Sequence, residues 1–313
     1  MSFPKKFKNK NILIVGGTGF IGQNLVKKAL NYGFNVTVIS KKKLQRKSKI
    51  LGVRYLSIDI RDEKKLLNSL KRFNFEYVLN LSGYVDHSDF SKNGHTIIHT
   101  HFNGTINLIK AINLKYIKTF IQIGSSDEYG INEGPQKEFV RERPISPYSF
   151  AKTASTHFLQ MLHITEKFPV IILRPFIVYG VGQKIDRFIP QIIKGCLMNK
   201  SFAVSAGKQL RDFCYVDDFV DAIFLCLNKK SAYGEVINIS TGTPVSVKDI
   251  VKKIVKIIGT GRPNFGKLKY RDLENMKLVG STSKAKKLLG WRAKTKIDKG
   301  LLLTIRSIIN NEK

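Results

Sequence analysis

The chain has 313 residues, 42% of them hydrophobic, which suits one large domain or two closely joined lobes and argues against a string of modules. Its formal charge is +31, from 54 Lys and Arg against 23 Asp and Glu, and the cations divide into 41 Lys and 13 Arg. The lysines are scattered along nearly every segment and accompany 36 Ile and 20 Asn, as an AT-rich coding sequence would give, whereas a nucleic-acid binder concentrates its charge and uses Arg for bidentate contacts.

Taken in order, MSFPKKFKNK is basic but lacks the apolar stretch of a secretory signal. Short apolar, β-rich runs come next at 11–17, 35–40, 53–59, 77–83, 119–125 and 170–175. They alternate with helical patterns at 23–32, 62–73, 96–113 and 148–167. Such alternation predicts βαβ units and a parallel sheet buried on both faces. Beyond 175 the regular order ends, with helices expected over 186–199, within 211–229 and over 246–259, and a strand over 236–240. The fold class expected is α/β: a doubly wound parallel sheet of Rossmann type with a smaller mixed C-terminal lobe that binds substrate. The first lobe is expected over 1–175, returning at about 206–240, and the second over 176–205 and 241–313. No run of 18 apolar residues is present, so no membrane span is expected. Cys196, Cys214 and Cys226 have neither a disulfide framework nor a zinc spacing, and no metal site is expected. A cytoplasmic protein is the resulting expectation.

Gly16, Gly19 and Gly22 come after the first strand and open the first helix. Glycine permits the tight turn and close backbone approach that a pyrophosphate needs, and the helix start offers free N–H groups, here including Phe20 and Ile21. The second strand ends Ser40-Lys41-Lys42-Lys43, where an NAD site would place an acid for the ribose 2′-hydroxyl. A hydroxyl and three ammonium groups favour the 2′-phosphate of NADP(H), with NAD possible. Asp59 and Ile60, ending the third strand, are placed to meet the adenine; the alternative for Asp59 is a helix N-cap. Tyr148 and Lys152 lie four residues apart on one helix face, where an ammonium lowers a phenol from its reference of about 10. Ser125 ends the fifth strand, at the edge where open parallel sheets bind ligands.

These residues, with Asn80-Leu81-Ser82-Gly83, Leu173-Arg174-Pro175, the run Arg211 to Asp218, Asn238-Ile239-Ser240 and Leu289-Gly290-Trp291, resemble the extended short-chain dehydrogenase/reductases that act on nucleotide sugars. The resemblance covers nearly the whole chain. It implies Ser125, Tyr148 and Lys152 as the catalytic triad, and Leu81, Ser82 and Gly83 as further cofactor contacts. It implies Arg211 and Arg271 on the sugar diphosphate, with Arg187, Ser126 and Asp127 at the substrate, and a homodimer built on 96–113 and 148–167. Dehydratases of this family carry Asp-Glu directly after the serine position; Ser126 and Asp127 stand there in this chain, which disfavours dehydration. Reductases that also epimerise at C3 and C5 use a Cys and a His where this chain has Asp127 and about Gly182, so that double epimerisation lacks its pair. Ile177 replaces the Asn common in epimerases. The expected reaction is therefore NADPH-dependent reduction of a nucleotide-linked 4-keto-6-deoxyhexose for surface polysaccharide, similar to the enzymes that complete CDP-abequose or dTDP-deoxyhexoses. A UDP-glucose-type 4-epimerase is the alternative. A third reading is a non-catalytic dinucleotide sensor or nucleic-acid-associated protein, against which the intact Tyr and Lys argue. The histidines carry no metal spacing, and His99 and His101 are read as helix-associated packing or surface groups.

Overall fold

The computed structural model describes residues 7–312. The chain divides into two compact units: one holds the chain up to Glu128 with Pro144–Arg174 and Ile223–Ile237, and the other holds Tyr129–Arg143, Pro175–Ala222 and the chain from Asn238 onward. Relative to the sequence expectation, 129–143 belongs to the second unit, and the return to the first is confined to 223–237.

The first unit begins with β1 (Asn11–Val15), α1 (Phe20–Asn31), β2 (Asn35–Ser40), β3 (Val53–Ser57), α2 (Glu63–Leu70) and β4 (Tyr77–Asn80). A long helical segment then runs over 90–111, with α-helical turns α3 (His95–Ile98) and α4 (Gly104–Ala111) separated by wider π turns at Phe90–Gly94 and His99–Asn103. Then come β5 (Thr119–Ile123), α5 (Pro147–Glu166) and β6 (Val170–Pro175). With the strand Val236–Ile239 these form a seven-stranded sheet in the order 236–239, β6, β5, β4, β1, β2, β3. Every pairing among β1 to β6 is parallel. The order reverses beside β1, so β1 and β4 part their crossovers to opposite faces and leave a crevice at their carboxyl ends. Burial explains the continuous apolar runs: β4 and β5 are buried at every position, as a strand covered on both faces requires.

Within the second unit, Ile177–Tyr179 pairs in parallel with Phe213–Tyr215, and Ser201–Val204 with Arg262–Phe265. Leu210–Arg211 lies between Val245–Ser246 and Lys277–Leu278. Helices Phe188–Leu197, Val247–Ile258, Ser283–Leu289 and Ile297–Glu312 pack around these short strands. Two expected motifs, the Arg211 to Asp218 run and Leu289-Gly290-Trp291, prove to be braces of this unit. Asp212 accepts from the Thr241 and Gly242 amides at 2.7 and 2.8 Å. Asp218 accepts from the Lys294 and Thr295 amides, and its carbonyl accepts from Trp291 Nε1 at 3.0 Å.

The first unit holds one ion pair with no exposed surface on either side chain: Glu128 Oε2 accepts from Arg174 Nε at 2.9 Å and lies 2.7 Å from Nη2. Thr156 Oγ1 donates to the same oxygen at 2.8 Å, and the Ser125 amide donates to Oε1 at 2.7 Å. One carboxylate thereby ties β6, α5 and the end of β5 together. Removing one partner of a buried pair strands the other charge, so Arg174→Met is expected to cost about 3–5 kcal/mol in urea unfolding. The Glu128→Gln/Arg174→Met pair should cost clearly less than the sum of the two single changes.

Candidate active site

The glycine loop is packed too closely for any other residue at two of its positions. Gly16 has φ +80°, and a Cβ there would stand 2.8 Å from the Leu81 carbonyl oxygen; at Gly22 it would stand 2.4 Å from the Gly16 oxygen. The loop therefore lies flush between the start of α1 and the end of β4. Gly19, the N-cap of α1, supplies no side-chain cap, and the first turn carries no acid, so the helix start that includes the Phe20 and Ile21 amides keeps its positive dipole end uncompensated. This cradle fits the pyrophosphate of a dinucleotide.

At the end of β2 the Ser40 hydroxyl donates to the Lys42 carbonyl at 2.9 Å, while Lys41, Lys42 and Lys43 are exposed. Asp59 is not the N-cap of α2; Asp62 is, accepting from the Lys65 amide at 3.0 Å. Asp59 is instead held by the Arg61 fork, at 2.6 Å from Nη2 and 3.1 Å from Nε, with Lys41 Nζ at 3.4 Å. The Arg61 hydrogen bonds hold the Asp59 carboxyl far below the usual carboxylate range. Folding thus brings an acid beside the end of β2 from the next strand, already claimed by two cations. Ile60 is buried. Ser82 donates from its hydroxyl to Asn80 Oδ1 at 2.6 Å, and the buried Asn80 in turn donates to Gln122 Oε1 at 2.8 Å, which fixes the Leu81-Ser82-Gly83 turn at the crevice.

The catalytic candidates come together in the first unit. Ser146 caps α5 in a reciprocal capping box with Ser149, and Pro147 opens the helix, which sets Tyr148 in its first turn and Lys152 one turn later. Both are buried. Lys152 Nζ donates to the Ile123 carbonyl at 2.8 Å, at the end of β5, and lies 5.9 Å from the centre of the Tyr148 ring. Burial pushes the Lys152 ammonium down to about 8, against the opposing pull of Glu128. Ser125, also buried, accepts from the Asp127 amide at 3.1 Å. In the turn after it, Ser126 is buried and Asp127 partly exposed.

Two histidines that sequence spacing left aside flank Tyr148. His101 is a buried group, not a surface one: its ring meets the Tyr148 ring edge-on at 5.1 Å. It sits in the second π turn of the 90–111 segment, whose wider pitch turns it inward. Its Nε2 donates to the Tyr84 carbonyl at 2.9 Å, and its Nδ1 is buried without a hydrogen-bond partner. Burial, and then the Lys152 charge, push this imidazole down to about 3, so it is neutral. His99 instead stacks on His95. On the other side, the His87 ring meets Tyr148 edge-on at 5.7 Å, and its Nε2 is 3.7 Å from Asp127 Oδ2.

In the second unit, Arg211 is buried and its guanidinium is paired with Glu274, while Nη1 donates to the Leu210 carbonyl at 2.9 Å. Arg271 is exposed, and its carbonyl accepts from the Glu274 amide at 3.2 Å, so both arginines converge on one turn. Arg187 is exposed at the N-cap of Phe188–Leu197, and no bond joins it to that turn. Among the described residues, no group of three or more His, Cys, Asp or Glu comes together as metal ligands do, and no helix is long and apolar enough to cross a membrane.

The chain is 29% identical over 271 residues to a dTDP-D-glucose 4,6-dehydratase of Dictyostelium discoideum, a match covering 79% of this chain and 62% of that protein. It is 28% identical to the dTDP-glucose 4,6-dehydratase of Haemophilus influenzae, over 96% of this chain and 98% of that one. Among solved structures, the UDP-glucuronic acid 4-epimerase of Bacillus cereus in complex with UDP-glucuronic acid and NAD superposes with a TM-score of 0.83 at 28% identity, covering 96% of this chain and 99% of that one. The model of the NAD dependent epimerase/dehydratase family matches residues 12–240, a span that holds the glycine cradle, the seven-stranded sheet and the Ser125, Tyr148 and Lys152 cluster; the chain belongs to that family.

Proposed function

We propose that this protein is an NADPH-dependent reductase of a nucleotide-linked 4-keto-6-deoxyhexose, acting in the cytoplasm toward surface polysaccharide. The observation that carries the choice of reduction is the cationic end of β2. Asp59 is occupied by Arg61 and Lys41, and Lys42 and Lys43 add charge beside the Ser40 hydroxyl, a setting suited to an extra phosphate. A reductase exchanges its cofactor at every turnover, and the 2′-phosphate is the common mark of the reducing pool. Dehydration, the reaction named for the Dictyostelium and Haemophilus relatives, is disfavoured by Ser126, because a hydroxyl is a poor acid for a leaving hydroxyl. A 4-epimerase is the second reading, favoured by the likeness to the Bacillus cereus enzyme and its NAD.

A bound reduced nicotinamide supplies the hydride. The chain's residues supply position and protons. The Ser125 hydroxyl hydrogen-bonds the C4 oxygen, Tyr148 gives its phenolic proton to the alkoxide that forms there, and the Lys152 ammonium stabilises the phenolate left behind. Leu81 to Gly83 and the Gly16 to Gly22 loop hold the cofactor. Arg211 takes the sugar diphosphate by exchanging its Glu274 partner for phosphate oxygens, with Arg271 and Arg187 as further cations. The apolar side chains exposed along α5, among them Phe150 and Ile164 at 50% and 70%, belong to a homodimer interface.

Purified protein should oxidise NADPH with at least one of the CDP-, UDP-, GDP- or dTDP-linked 4-keto-6-deoxyglucoses. Absence of oxidation, together with tightly held NAD and interconversion of UDP-glucose and UDP-galactose, would establish the epimerase instead. Tyr148→Phe should lower kcat by about 10²–10⁴-fold, the usual worth of a general acid, while fluorescence titration shows NADPH affinity within about threefold of wild type. Replacing Lys41 and Lys42 by Ala should raise the KM for NADPH about tenfold, equivalent to about 1.4 kcal/mol, and leave that for NADH nearly unchanged. Because the protonated Lys152 is the working form and burial brings it to about 8, kcat/KM should be flat below that pH and fall above it. Lys152→Arg, which stays charged, should remove that fall in whatever activity it retains.

A further inference from the structure

Away from the catalytic residues, a cavity of about 580 Å³ opens in the first unit where Lys118 leads into β5, Pro169 into β6 and Tyr233 toward the strand Val236–Ile239. These are the amino ends of the sheet. Ser125 follows the carboxyl end of β5, and that five-residue strand alone puts about 16 Å between the two places. A volume of this size is that of a small-molecule site. Its apolar wall comes from Ile117 and Phe168, both buried, with Pro169 and Tyr233 partly exposed beside them. The wall is fixed from behind. The Tyr233 hydroxyl donates to the Lys118 carbonyl at 2.5 Å, the Gly234 amide to the Val170 carbonyl at 2.7 Å, and the Asn228 amide to Thr119 Oγ1 at 3.1 Å. The segment that carries Asn228 and Tyr233 is thereby bonded to the starts of both strands, and the cavity is preformed.

The lining is cationic as well as apolar. Lys118, Lys167 and Lys230 contribute to it against one carboxylate, Glu166. Lys167 Nζ donates to the Ile164 carbonyl at 3.2 Å and so answers the negative end of the α5 dipole, while the Lys118 and Lys230 ammonium groups have no hydrogen-bond or ion-pair partner among the described residues. Two unclaimed positive charges thus accompany the apolar wall. Asn228, whose Oδ1 accepts from the Tyr77 hydroxyl at 3.0 Å, keeps its Nδ2 as a donor, and Glu166 supplies acceptors. A matching ligand has a flat apolar body for Phe168, Pro169 and Tyr233, an edge that both donates and accepts, and anionic oxygens for the two lysines. From this combination we infer that the cavity is a second ligand site, separate from the glycine cradle, and that it takes a nucleoside diphosphate, with the base on the apolar wall and the phosphates on Lys118 and Lys230. Phosphate alone would leave the wall uncovered, and a purely apolar ligand would leave both ammonium groups unmatched. The site is independent of the reaction carried out at Tyr148.

Equilibrium dialysis of the full chain, with NADPH present, against ADP, GDP, CDP and UDP in turn counts the sites. With at least one of the four, the Lys118→Met/Lys230→Met and Lys118→Glu/Lys230→Glu proteins should bind one equivalent fewer than wild type, through a Kd at that site raised at least about tenfold. A urea unfolding midpoint close to that of wild type shows that both variants are folded. The nucleotide that loses the equivalent is then compared with its glucose-linked form: loss with either supports the site, and the tighter of the two identifies the free or the sugar-linked diphosphate as its source. Equal stoichiometry and affinity in wild type and both variants, for all four nucleotides, overturns the inference. Inorganic phosphate that binds there as tightly as the nucleotide also overturns it, since the apolar wall would then contribute nothing and the cavity would be an anion site only.

Discussion

A single buried carboxylate organises the catalytic end of the sheet. Glu128 receives Arg174 from β6, Thr156 from α5 and the Ser125 amide from the end of β5, with no water-exposed surface on either charged side chain. Burying two charges is costly in itself, and an apolar pair of the same volume would commonly be as stable. What the ion pair contributes is direction. The Ser125 amide is pinned, which fixes the backbone that carries the Ser125 hydroxyl, and Thr156 lies one turn beyond Lys152 on the same helix, so the register of α5 is set against the sheet edge. Serine, tyrosine and lysine come from two elements, and Glu128 is the residue that binds both.

The second constraint is the burial of Tyr148. Lys152 is buried and spends one of its donors on the Ile123 carbonyl, and His101 is buried and neutral beside it. An ammonium in such surroundings acts on a neighbouring phenolate far more strongly than it would in solvent. Two imidazole edges flank the ring, one buried and one partly exposed. His101 confines the ring, and its Nδ1 is buried without a hydrogen-bond partner.

Much of this was legible in the residues. Apolar strands alternating with helical patterns gave the parallel sheet, because strands covered on both faces must be apolar throughout. The glycine spacing gave the cradle, because Gly16 and Gly22 are where a Cβ has no room. Tyr148 and Lys152 were visible because four residues make one helical turn. The hidden features depended on contacts between distant segments. Glu128 and Arg174 are 46 residues apart, and nothing local in either sequence marks the pair. His101 takes the packing role of the two that its sequence left open, and its place beside Tyr148 depends on two π turns that no sequence pattern marks, since each widened turn rotates the residues beyond it. Asp59 could be an N-cap by position, but the shorter run to Asp62 puts the cap there and frees Asp59 for Arg61. The short strands of the second unit, two to four residues long, carry too little pattern to be read at all.

The account stands on hydride reaching sugar C4. The most direct measurement is a turnover with NADPH carrying deuterium at both positions of nicotinamide C4, and then NMR of the sugar nucleotide produced. The account predicts one deuterium, at C4 of the sugar, in every product molecule. Product without deuterium at C4, or a cofactor that keeps both deuterons while the sugar is converted, would contradict it.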